Sequence, residues 1–161
     1  MWKPFELNPD MPKEGLPRKV YRERKFGSLD YSAPADARVA EAGRSAGLEF
    51  RHGLMEWTPN TFDCHRLIRF AGSHGKQDAV VEGLFRAYFH EGRNTGDHAV
   101  MADIAAAAGL DRAEVARFLA SGEMAGEIAR ELAEARAMGI NGVPAFLVGG
   151  EPVMSGAAPS E

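Results

Sequence analysis

Cysteine is almost missing from this chain of 161 residues: Cys64 stands alone. A single thiol cannot close an internal disulfide, and it excludes a Cys-x-x-Cys redox or zinc site within these residues. Long apolar runs are missing as well. The alanine-rich stretches are broken by charges and glycines well before the ~18 apolar residues that a membrane helix needs. Charge of one sign is nowhere concentrated, since 19 Lys+Arg face 23 Asp+Glu for a net −4, so no basic face recommends nucleic acid as a partner. No charged, apolar and small-residue segments of a secretory leader open the chain, which places the expectation in the cytoplasm. His52, His74, His90 and His98 make no i, i+4 pair, so a metal site is not expected. The glycines near residue 140 are not followed by the Lys and Ser/Thr of a phosphate loop.

What is present centres on Gly139-Ile140-Asn141-Gly142-Val143-Pro144 and the residues after it. Gly139 follows a long helical pattern, where a residue free to take positive φ closes the last turn. Asn141-Gly142 then turns the chain. Ala145 to Val148 is too short and too evenly apolar for an amphipathic helix and reads as a buried strand. Gly149-Gly150 suits a two-residue hairpin turn, with Val153 to Ser155 returning antiparallel.

Upstream, Trp2 to Leu7 has a strand-like pattern. Pro9, Pro12, Gly15 and Pro17 make a long turn, and Pro17 suits the start of a helix ended by Gly27. Residues 28–34 read as a loop and Asp36 to Ala46 as a helix, with a brief extended piece at Leu48 and Phe50. From Asn60 a helix carries Cys64, Leu67, Ile68 and Ala71 on one stripe, with His65, Arg66 and Arg69 off it. Gln77 to His90 carries Val81, Leu84, Phe85 and Tyr88 on one face. Asp97 caps a helix to Ala108, and Asp111 with Glu114 opens another to Ala120. Glu127 to Met138 leads into the hairpin, with Arg130 and Glu134 spaced to pair; Glu131 and Glu134 read as an exposed, solubilising pair. The order is strand, about six helices, strand, strand, in a single domain whose size lets roughly two thirds of the unfolded surface be buried.

Helix, Gly-Ile-x-Gly-Val-Pro, strand and Gly-Gly hairpin together resemble the cis-proline segment of thioredoxin-fold proteins of the DsbA-like family. Trp2-Lys3-Pro4-Phe5-Glu6-Leu7-Asn8-Pro9-Asp10-Met11-Pro12, Arg24-Lys25-Phe26-Gly27, Thr58-Pro59-Asn60-Thr61 with His65-Arg66-Leu67-Ile68, and Leu84-Phe85-Arg86-Ala87-Tyr88-Phe89 resemble its FrnE-like branch. The resemblance implies an α/β thioredoxin-like fold over residues 1–161. Sheet elements would lie at 1–10 and 139–156, a large all-helical insertion at about 17–121, and a connecting helix at about 122–138. It also implies a cis Val143-Pro144 bond, where the general expectation for X-Pro is only about one in twenty.

The family's activity is thiol–disulfide exchange, and the resemblance implies that Val143 and Pro144 offer backbone to an extended peptide or protein thiol substrate. His65 and Arg66, on the helix over the groove, are the implied ligand contacts. The pattern is broken at both ends. The first strand and the helix bearing Cys-x-x-Cys are not matched, nor is the last helix, and no catalytic residue is therefore expected within the chain. Two readings follow: a member of the oxidoreductase family lacking its dithiol element here, or a non-redox binding module. The second would hold a peptide or a small thiol such as glutathione, as do the related 2-hydroxychromene-2-carboxylate isomerases and kappa-class glutathione transferases. No other cofactor is expected. A homo-oligomer is expected, because an open sheet edge and an uncovered apolar face invite a partner. Cys64 has two readings of its own: an inert core thiol, or one activated near a helix N-terminus.

Overall fold

A computed structural model describes residues 1–156, with the side chains of all but residues 29–32. Residues 157–161, included in the single domain read from the sequence, lie outside it. The described elements run β1 (Leu16–Pro17), α1 (Arg18–Phe26), α2 (Leu29–Ser45), a short 3-10 turn (His52–Leu54), β2 (Trp57–Thr58), α3 (Phe62–Ser73), α4 (Gln77–Phe89), α5 (His98–Ala107), α6 (Arg112–Ala120), α7 (Ala125–Ala137), β3 (Ala145–Val148) and β4 (Glu151–Ser155). The fold is thus mostly helical, with few short strands.

The helical boundaries follow local chemistry. Asp97 accepts the Ala99 N–H at 2.7 Å and Asp111 the Glu114 N–H at 2.7 Å, each satisfying a donor that the first turn cannot. Asn60 accepts the Phe62 N–H and donates to the Met11 carbonyl, so it closes the start of α3 and holds the preceding turn. Gly139 ends the helical run at φ +78°. The core is built from α3 to α6: Leu67, Val80, Met101, Ala105, Val115 and Leu119 interlock there, and Ile128 and Leu132 of α7 are buried with them.

Five expectations are corrected. Trp2 to Leu7 forms no ladder; side chains fasten it instead, Trp2 donating to Gln77 and Asp78 and Lys3 pairing with Glu131. A strand needs a neighbouring backbone, and among the described residues that segment has none. A small antiparallel pair appears instead between β1 and β2, two residues each, too short for any period to register. Helix α2 starts at Leu29 rather than Asp36 and carries Pro34 inside it; Leu48 and Phe50 are not extended strand. On α4 the buried face is Val80, Val81, Leu84 and Ala87, while Phe85 is half exposed. Phe85 lies on the rim of an aromatic group with Phe89 and Phe50 rather than in the core.

The fifth correction matters most. The β3–β4 hairpin forms about the expected turn, with Gly149 and Gly150 at positive φ and a register shift between Phe146 and Leu147, but it is exposed rather than buried. Among the described residues, β3 pairs with β4 and with no other strand.

Leu67 has no exposed surface. Leu67→Ala is therefore expected to cost about 3 kcal/mol of unfolding free energy, the transfer term plus a cavity that four helices cannot close. Urea titration followed by far-UV circular dichroism measures it, and a loss below ~1 kcal/mol would contradict this packing.

Candidate functional site

Helix α3 carries three of the side chains singled out in the sequence, and the structure treats them differently. Cys64 is buried and donates from Sγ to the Thr95 carbonyl at 3.1 Å. Burial pushes its thiol up to about 12, and the Thr95 side chain offsets only part of that. The thiolate is the nucleophilic form, so Cys64 is an inert core thiol.

His65 points the other way, and its Nε2 lies 3.1 Å from the Phe5 carbonyl. The carbonyl can only accept, so Nε2 carries the proton. Burial holds the imidazole below its ordinary pKa, and the bond to Phe5 opposes this. Next to Phe5, Glu6 is buried, and burial raises its carboxyl, with Arg136 partly compensating. The His65 bond to Phe5 fastens the N-terminal segment to the helical body.

Arg66 is 3% exposed, and its five guanidinium N–H groups meet five acceptors. Nε donates to the Glu123 carbonyl at 2.9 Å, Nη1 to Asp63 at 2.7 Å and the Leu119 carbonyl at 3.3 Å, and Nη2 to the Phe118 and Ser121 carbonyls at 3.0 and 2.8 Å. The guanidinium also lies 4.9 Å over the Phe118 ring. It caps the C-terminal end of α6, where carbonyls lack helical partners and the helix dipole favours a cation. No donor is left over for a ligand. Asp63 balances the charge and accepts from His98 Nε2 at 2.7 Å. Burial works to raise the Asp63 carboxyl, but the hydrogen bonds from Arg66 and His98 outweigh it and hold the group below its usual range.

Beside this network lies a cleft of about 360 Å³ lined by Lys13, Asn60, Asp63, Arg66, Ser121 and Ala125, among others. Most of its polar groups are already spent on the protein: both ends of the Asn60 amide, the Arg66 guanidinium, and the Ser121 hydroxyl, which donates to Phe118 and accepts from the Glu123 N–H.

The Val143-Pro144 bond is cis, and Val143 is 48% exposed. The Pro144 carbonyl accepts the Gly156 N–H at 2.8 Å, continuing the hairpin. The structure therefore separates the four residues singled out. His65 and Arg66 sit side by side on α3 but face different partners, and among the described residues no hydrogen bond or ion pair joins either to Val143 or Pro144.

Sequence reasoning missed Glu131. It is not a solubilising surface acid but a largely buried one at 11% exposure, paired with Lys3 and Arg69. Its partners are far away in sequence, so only the fold could reveal it. Glu134 keeps the expected pairing with Arg130 at 3.7 Å. Among the described residues no group of three or more His, Cys, Asp or Glu could hold a metal ion, and no helix is long and apolar enough to cross a membrane.

The two buried titratable groups give opposite pH signs. His65, with its folded pKa below 6.5, contributes stability that is full above 6.5 and lost as pH falls through that value. Glu6, with its folded pKa above 4.5, costs stability at neutral pH, and the cost disappears as pH falls through the raised value. Glu6→Gln is expected to stabilise at pH 7 and not at low pH, and His65→Gln to flatten the loss below pH 6.5; unfolding titrations across pH check both. Arg66→Ala is expected to cost about 3–5 kcal/mol, removing the cation that balances Asp63 and one buried donor from each of four carbonyls. Arg66→Lys should not restore it, because three donors on a point charge cannot replace a five-donor fork; full recovery by Lys would contradict the cap.

Comparison with known proteins places the architecture. The crystal structure of a probable DsbA oxidoreductase from Streptomyces coelicolor superposes with a TM-score of 0.77 at 29% identity, over 88% of this chain and 62% of that one. The chain thus spans less than two thirds of that relative's length. No curated protein matches it. The sequence model of the DSBA-like thioredoxin domain matches residues 1–161. With one cysteine and no Cys-x-x-Cys pair, and with its helices and hairpin in that arrangement, the chain belongs to the DSBA-like thioredoxin domain family.

Proposed function

We propose that this polypeptide is a FrnE-like protein of the thiol–disulfide oxidoreductase family, lacking the Cys-x-x-Cys element within these residues, that acts in the cytoplasm on extended peptide or protein thiol substrates. The observation that carries the reading is the match to the family over residues 1–161. The open backbone at Val143, where the chain enters β3, is compatible with it. In this reading Val143 and Pro144 present main-chain groups to the substrate, and the helical body holds them in place. His65 acts at one remove, through the segment it fastens.

The thiol chemistry needs a dithiol that these residues do not contain. Exchange begins with a thiolate attacking a disulfide sulfur, and a second thiol must then resolve the mixed disulfide. Cys64 offers neither, being buried, bonded to Thr95 and held almost wholly protonated. That same observation favours a second reading for the polypeptide by itself: a non-redox module that holds an extended peptide or a small thiol such as glutathione.

Insulin reduction by dithiothreitol in the presence of the chain is expected to match the uncatalysed rate, and Ellman's reagent is expected to modify Cys64 only after unfolding. Joining an apolar strand and a Cys-Pro-x-Cys helix ahead of Met1 should raise insulin reduction above the control under the first reading and leave it unchanged under the second. Catalysis by the unmodified chain that survives Cys64→Ala would overturn both.

A further inference from the structure

Helix α4 commits one face to the core and leaves the other without a neighbour among the described residues. Val80, Val81, Leu84 and Ala87 fill the buried face. Gly83 lets α5 close on one flank, since a Cβ there would sit 2.6 Å from Ile104. The opposite ridge follows helical spacings of three and four: Asp78, Ala79, Glu82, Phe85 and Arg86 are all exposed, and Phe89 is half-buried at its end. Phe85 stands 6.1 Å from the Phe89 ring, which in turn meets Phe50 edge-on at 5.3 Å. The Phe85 ring is therefore held in place without being covered, as an aromatic anchor at a contact surface would be.

The charges beside that ring are ordered along the helix. Glu82 and Arg86 stand 3.9 Å apart with side chains 73% and 66% exposed, a pair too long and too wet to contribute much by itself. Asp78 lies in the first turn of α4, and His90 follows the last. The ridge thus carries its acids toward the N-terminal end and its basic groups toward the C-terminal end. A surface ordered in this way is complementary to its own reverse.

We propose that two copies of this chain associate through the exposed ridges of α4, packed antiparallel about a two-fold axis level with Leu84. The occupant is argued from charge. With that axis, Glu82 faces Arg86 of the partner subunit, and the symmetry repeats the pair in the other direction. Asp78 comes level with His90 of the partner subunit. Phe89 falls over Ala79 of the partner subunit, a large side chain against a small one, and the two Phe85 rings meet beside the axis. A parallel arrangement would set Glu82 against Glu82 of the partner subunit, so the charges select the antiparallel one. The contact is one strip of one helix, which places it among small, transient interfaces. It uses no residue of the hairpin or of the N-terminal segment, and it stands or fails apart from the thiol–disulfide reading.

Sedimentation velocity of the 161-residue chain from micromolar to millimolar concentration tests it. The expected result is a monomer–dimer equilibrium that weakens as added salt screens the paired charges. Glu82→Arg and Arg86→Glu, each alone, set like charges across the axis and should weaken the dimer roughly tenfold or more. Phe85→Ala should weaken it by a similar factor. The double variant, Glu82→Arg with Arg86→Glu, should restore the dimer, because exchanging the two charges keeps every facing pair opposite. That rescue separates pairing from damage to the helix, which a second charge change would not repair. All three positions are exposed, so far-UV circular dichroism should show the same helix content in each variant. A chain that stays monomeric throughout overturns the proposal. So does a dimer that no α4 variant weakens, or a double variant no better than the single ones.

Discussion

The Arg66 guanidinium is the point on which the helical body depends. A charge this deeply buried is tolerable only when every donor is met and the charge itself is balanced, and both conditions hold. Four backbone carbonyls from the end of α6 and the turn into α7 take four donors, and Asp63 takes the fifth. Asp63 in turn reaches α5 through His98. One side chain therefore fixes where α3, α5, α6 and the start of α7 meet. The apolar core alone would allow some sliding among them, because hydrophobic contact has no direction. The hydrogen-bond fork does have one.

The other end of the chain is organised on the opposite principle. The β3–β4 hairpin has sound local chemistry, with positive-φ glycines in the turn and antiparallel pairing on either side of one register shift, but its side chains bury little of their surface. An isolated two-stranded hairpin is marginal in water, and exposed apolar faces of this extent signal contact with something else. The N-terminal segment shows a milder form of the same condition, since side chains from α3, α4 and α7 hold it without a ladder. The rigid part of the molecule is thus the bundle. The part that resembles the family's substrate-facing element is the open part.

This division bears on function. Surfaces that recognise extended chains need unpaired backbone, and unpaired backbone is what strand edges supply. The bundle has spent its polar groups internally: Arg66, Asn60 and Ser121 are engaged with the protein itself, and Cys64 is sealed in the core. Val143 and the β3–β4 hairpin, by contrast, remain exposed.

The sequence alone determined the features set within a few residues of one another. Asp97 and Asp111 announced α5 and α6 because a capping carboxylate acts on donors two or three positions away. Gly139, Asn141-Gly142 and Gly149-Gly150 announced the end of α7 and the hairpin because backbone conformation is a local property, and the ordered motifs were enough to identify the family. Tertiary structure decided what distance in sequence conceals. Arg66 lies off the apolar stripe of α3 and reads as a surface cation, yet it is buried because carbonyls 52 to 57 residues away converge on it. Glu131 is buried because Lys3 and Arg69 arrive from other elements. Conversely, Phe146 and Leu147 read as core and are exposed, because burial belongs to the neighbours a strand finds and not to the strand.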